Sequence, residues 1–114
     1  MTRTLHMLHT LDADVGSPAS TVRNGFKWAD AGLDEELELC VCTRDPETHD
    51  VQGTGTVLET WFGRFCDIPA RYLRFEHEIR SREYNGLLDS MRKAYGGEFS
   101  ENSPVTVLVY RRRT

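Results

Sequence analysis

Three groupings of side chains in this sequence have types and spacings that could do chemistry. The first lies in Gly16-Ser17-Pro18-Ala19-Ser20-Thr21-Val22-Arg23, a Gly/Pro loop followed by a short β-type segment with alternating polar residues. Residues two apart on a strand share a face, so Thr21 and Arg23 are expected side by side, a hydroxyl next to a rigid guanidinium fork. Such a pair suits a phosphate, a carboxylate or the edge of a base. The second is Cys40-Val41-Cys42, two thiols on one face of a strand and therefore half of a tetrahedral metal site. No Cys or His stands at ligand spacing to complete it. His6 and His9, three apart on a strand, face opposite ways, so neither a metal nor any other cofactor is expected. The third is Glu76-His77-Glu78 with Cys66 upstream, which could compose a Cys/His nucleophile pair but lacks the local patterns that accompany one.

The elements that must position these groups belong to a chain of 114 residues, enough for one core and too short for a second module. A single domain over 1–114 is expected, with its core at about 4–110 and a basic tail, Arg111-Arg112-Arg113-Thr114. No apolar run approaches the roughly 18 residues of a membrane span. Met1 to Thr10 contains Arg3 with no apolar run behind it, so a cytoplasmic protein without a leader is expected, and a monomer. Three cysteines cannot all pair, which favours free thiols in a reducing compartment.

A net charge of −4 argues against non-specific binding to long duplexes, which depends on a basic surface displacing counterions. The distribution is uneven, however. Arg71, Arg74, Arg80, Arg82, Arg92 and Lys93 gather in one third of the chain, and Asp34-Glu35-Glu36 and Glu38 lie elsewhere. A locally basic face on an acidic protein fits a small anionic or nucleotide ligand better than a duplex.

In chain order, Arg3 to Leu8 reads as a strand and Leu11 to Val15 as one helical turn that Gly16 stops. The Thr21/Arg23 strand follows and ends at the Asn24-Gly25 turn. Phe26 is expected in the core, and Trp28 or Trp61 is available to stack on a ligand. Leu37 to Thr43 and Val51 to Trp61 read as a hairpin, and Gly53 and Gly55 in its return strand signal a bulge or tight bend. Asp67 and Pro69 begin a first helix. A second helix over Ser81 to Tyr95 carries the apolar stripe Tyr84, Leu87, Leu88, Met91, Tyr95 and stops at Gly96-Gly97. Val105 to Tyr110 is almost continuously apolar, which predicts a central strand buried on both faces.

This order, together with Gly16, Thr21 and Arg23 in the spacing of a Gly-x-Lys-x-x-Thr-x-Arg pattern, the Gly32 to Cys42 approach and strand, and the ending Lys93-Ala94-Tyr95-Gly96-Gly97, resembles the ASCH domain of the PUA-like superfamily. The resemblance covers about Thr4 to Tyr110. It implies an α+β fold, a small mixed β-barrel flanked by two or three helices, with a cleft beside Thr21-Val22-Arg23 that takes RNA or a modified nucleoside. Small members of similar size hydrolyse N-acetylated cytidine with a Lys, a Thr and a Glu. Carried over, the Thr is Thr21, the Glu is Glu76 or Glu78 with Glu83 as a weaker match, and the Lys position is occupied by Pro18. Proline has no proton to give or take, and an unactivated Thr hydroxyl is a poor nucleophile. A binding module for RNA, single-stranded nucleic acid, a nucleotide or a nucleoside is therefore the first expectation. Gly16, Ser20, Thr21, Arg23 and Trp28 would line its site, and Arg71, Arg74 and Arg80 would meet phosphate. The alternatives are an amidohydrolase using Thr21 with Glu78 or Glu76, and a protein-interaction module with a relic cleft.

Overall fold

The strand Pro104–Arg112 is the spine of the molecule, with six consecutive buried residues from Val105 to Tyr110. Its side chains alternate between two cores. Val105, Val107 and Val109 enter one, and Leu108 and Tyr110 enter the other. The computed structural model describes residues 2–8, 14–44, 47–73 and 83–114. Within them lie five strands, β1 (Arg3–Leu8), β2 (Pro18–Asn24), β3 (Glu36–Arg44), β4 (Glu47–Arg64) and β5 (Pro104–Arg112). A 3-10 turn spans Phe65–Asp67, and the helices are α1 (Ala70–Leu73) and α2 (Tyr84–Tyr95). No helix among the described residues is long and apolar enough to cross a membrane.

The fold is a small α+β structure built on one mixed sheet of order β1-β3-β4-β5-β2. Only β1 and β3 run parallel. β4 is 18 residues long and serves two partners, pairing with β3 through its first half and with β5 through its second. Such a strand has to bend. The register slips at Leu39/Cys40, beside Gly53, and again between Val57 and Glu59. Gly55 lies between these slips, where a Cβ would stand 3.2 Å from both the Arg111 carbonyl and the Tyr110 ring, so glycine permits the close approach of β5. The bend announced by paired glycines is present.

The sheet curls without closing. Its edge strands β1 and β2 are not laddered among the described residues, yet the Arg23 guanidinium donates to the His6 carbonyl and the Tyr110 hydroxyl lies 3.7 Å from Met7 Sδ. The concave core gathers Leu5, Met7, Ala19, Leu37, Leu39, Val57, Leu108 and Tyr110, with Trp28 and Ala31. Leu87, Leu88 and Met91 of α2 pack on the opposite face with Phe65, Phe99 and Val107, so the helical stripe is core as its spacing required. The stripe ends earlier than its pattern: Tyr95 is exposed, its ring stacked on Phe99 at 6.3 Å. Gly96, at φ +102°, ends the helix.

One expected element differs. The helix anticipated from Asp67 is a 3-10 turn followed by the four-residue α1, because Pro69 interrupts between them. The turn expected over Leu11 to Val15 and the first residues of the Ser81 helix fall largely outside the described residues.

Candidate functional site

β2 delivers Thr21 and Arg23 to one face, as period-2 alternation demands: Ala19 enters the concave core and Val22 the opposite one, and Thr21 and Arg23 follow Ala19. Their surroundings differ from an open cleft. Thr21 is 2% exposed and Ser20 is 1% exposed, the latter donating to the Tyr72 carbonyl. Arg23 is half-buried at the strand end. Gly16, at φ +86°, is held by β5, its N–H donating to the Arg112 carbonyl at 2.7 Å and its carbonyl accepting from Arg111 at 3.1 Å.

Trp28 is not a free stacking surface. It is buried beneath the Arg3 guanidinium, 4.5 Å from the ring centroid, and Arg3 in turn bridges Asp30 and Glu35. Trp61 packs partly buried against the helical core. Arg71 pairs with Glu59 at 3.3 Å and lies over Tyr72, whose hydroxyl donates to the same carboxylate at 2.7 Å. Burial, then the Glu59 hydrogen bond, pushes the Tyr72 hydroxyl above its ordinary pKa. Glu83 precedes α2 in extended backbone. Arg74, Glu76, His77, Glu78 and Arg80 lie outside the described residues.

The surface beside Arg23 is aromatic instead. Phe26, expected in the core, is 52% exposed, and its ring meets that of Phe62, 60% exposed, edge to face at 5.8 Å. Strand register explains the meeting. Arg23 of β2 and Phe62 of β4 both oppose Thr106 of β5, so the three form one lateral row on one face. A bend at Gly25, where β2 ends, then brings Phe26 over the row. Gly25 adopts φ +78°, its N–H donates to the Pro104 carbonyl at 2.7 Å, and its carbonyl accepts from the Thr106 hydroxyl at 2.8 Å. Lys27 stands exposed next to Phe26. The signal that could have found this site was an aromatic placed directly behind an Asn-Gly pair, where the chain has no depth in which to bury it.

Next to Arg23, whose guanidinium donates to the His6 carbonyl, β1, β3 and β4 bring four donors together. His6 Nδ1 and His49 Nδ1 each lie 3.2 Å from Cys42 Sγ, and Cys40 Sγ lies 3.4 Å from it. All four donor atoms fall within 4.8 Å of one another. The register accounts for the convergence: His6 opposes Cys40 and His49 opposes Cys42. Against the expectation that no histidine stands at ligand spacing from the Cys40/Cys42 pair, two lie beside it. His6 stands 36 positions from Cys42 in sequence, and strand pairing, which linear spacing does not encode, closes that distance. The thiols are unbridged. Burial, and then the neighbouring Cys40 thiol, push the Cys42 thiol up to about 11. Burial, with His49, Arg23 and Lys27 nearby, holds His6 below its ordinary value.

No family model, curated protein or solved structure matches this chain.

Proposed function

We propose that this protein binds a short stretch of single-stranded nucleic acid, RNA by preference, on the surface formed by Phe26, Phe62, Arg23 and Lys27. The observation that carries this reading is the exposed Phe26/Phe62 pair set in lateral register with Arg23. Unstacked bases seek aromatic faces, and flanking cations meet the phosphates between them. A small basic locus on a protein of net charge −4 suits a contact of one or two nucleotides and disfavours a long duplex footprint. The curled sheet fits a PUA-like, ASCH-type barrel: the Arg23 to His6 and Tyr110 to Met7 contacts join strands that are not neighbours in the ladder. Binding ranks above amide hydrolysis because the Thr21 hydroxyl is buried and Pro18 stands where the resemblance expects the lysine that would activate it.

The test is fluorescence anisotropy with labelled oligouridylate, wild type against Phe26→Ala and Phe62→Ala. Each substitution is expected to weaken binding by about 1–3 kcal/mol per stacked base. Wild-type protein that binds neither oligouridylate nor its deoxy counterpart would overturn the reading.

A further inference from the structure

The four donors at the edge of the sheet form a more specific arrangement than a polar surface needs. Cys40 and Cys42 are 1% and 6% exposed, so both thiols are withdrawn from water, and the two imidazoles close over them from the adjacent strands. We propose that His6, Cys40, Cys42 and His49 hold a structural zinc ion, and that this ion fastens the edge strand β1 to the β3–β4 hairpin.

The donor set is that of a tetrahedral Cys2His2 centre, in which soft thiolates with imidazoles select zinc over calcium or magnesium. Bond lengths of about 2.3 Å to sulfur and 2.0–2.1 Å to nitrogen imply donor separations of about 3.6–3.8 Å around a tetrahedron for the pairs that involve sulfur. The three pairs that Cys42 makes, at 3.2, 3.2 and 3.4 Å, would spread by about 0.3–0.4 Å around the ion, while the wider separations within the 4.8 Å cluster would contract to match. Period-2 alternation sets Cys40 and Cys42 on the face opposite Leu39, and the register slip at Leu39/Cys40 adjusts where that pair meets β4.

A second feature points the same way. The Nε2 of His49 lies 3.1 Å from Glu47 Oε1, which fixes the proton on that nitrogen and leaves Nδ1 with its lone pair toward the thiols. Carboxylates orient metal-bound histidines in this manner. Binding exchanges two thiol protons for one divalent ion, so two thiolates balance the metal charge and the two neutral imidazoles complete the shell. With four protein donors no position stays open for water or substrate, which makes the centre structural. Nothing in this inference depends on the nucleic-acid reading.

The test uses the full chain purified without added metal or chelator. Elemental analysis is expected to find about one zinc per chain, and cobalt added to metal-stripped protein is expected to give the intense visible bands of a tetrahedral, thiolate-ligated ion. Cys42→Ser and His49→Gln should lose the ion, and Cys66→Ser should keep it. Glu47→Gln retains every ligand and should weaken zinc binding by about 10- to 100-fold. Should Cys42→Ser fail to fold, the wild-type cobalt spectrum and the Glu47→Gln affinity decide. Zinc far below stoichiometry together with an octahedral cobalt spectrum, or full retention of zinc in the Cys40→Ser/Cys42→Ser double variant, would overturn the proposal.

Discussion

Removing the exposed rings of Phe26 and Phe62 separates recognition from folding. Phe62 is 60% exposed, so about two fifths of its surface is shielded. Full burial of a phenylalanine contributes about 1.5–3 kcal/mol, which makes its share about 0.6–1.2 kcal/mol. Losing the edge-to-face contact adds about 0.5–1.5 kcal/mol. A domain of this length is stable by roughly 6–17 kcal/mol, so Phe62→Ala and Phe26→Ala should both stay folded. Binding should suffer more. A stacked base is worth about 1–3 kcal/mol, or about 5- to 150-fold in affinity per ring. Two rings gripping one base act as a unit, so the double variant should then lose little more than the worse single variant. If Arg23 and Lys27 each neutralise one phosphate, log affinity should fall against log salt with a slope of about −1.4. Anisotropy of labelled oligouridylate across a salt series, with circular dichroism on the same samples, reads all of these quantities. A folded double variant that binds within twofold of wild type would refute the aromatic platform, and a slope near zero would refute the role of the two cations.

Leu88, 9% exposed on α2, anchors the helix to the sheet; Leu88→Ala should cost about 2–5 kcal/mol and lower Tm by about 8–20 °C, measured by thermal denaturation. Arg23→Lys keeps the charge but gives up the planar reach to the His6 carbonyl. It should lower stability by about 1 kcal/mol in urea titrations and speed amide exchange in β1. Tyr72 titrates above its ordinary value in the folded protein, chiefly through burial. The stability this shift contributes is complete below the unfolded pKa of about 10 and is lost as pH rises through the higher folded pKa. The Tm gap between wild type and Tyr72→Phe should therefore narrow from pH 8 to pH 11, and a gap that widens would reverse the assignment.

Much of the fold could be read from local pattern. The unbroken apolar run of Val105 to Tyr110 demanded burial on both faces, and β5 occupies an interior position with a core on each side. The spacing of Leu87, Leu88 and Met91 named the face of α2 that packs, and Gly96 marked where the helix stops. Gly53 and Gly55 marked the bend in β4. These succeed because hydropathy, period and φ are properties of a residue and its immediate neighbours. Thr21 shows where such reading ends. Alternation put it beside Arg23 correctly, but the curl of the sheet decided that this face would be interior for Thr21 and half-buried for Arg23.

The candidate sites were settled by distance through space. Phe26 followed a turn in sequence, and only its meeting with Phe62, 36 positions later, through a strand between them made an aromatic surface. The cysteine pair was visible as two same-face positions, and the two histidines were visible as isolated residues. What joined them was the parallel pairing of β1 with β3 and the antiparallel hairpin of β3 with β4. The sequence by itself determined which runs are apolar, which positions alternate, and which side chains carry chemistry, because side-chain type and period are local. Only the tertiary structure decided which of those side chains meet, because strand register couples residues that the chain separates by dozens of positions.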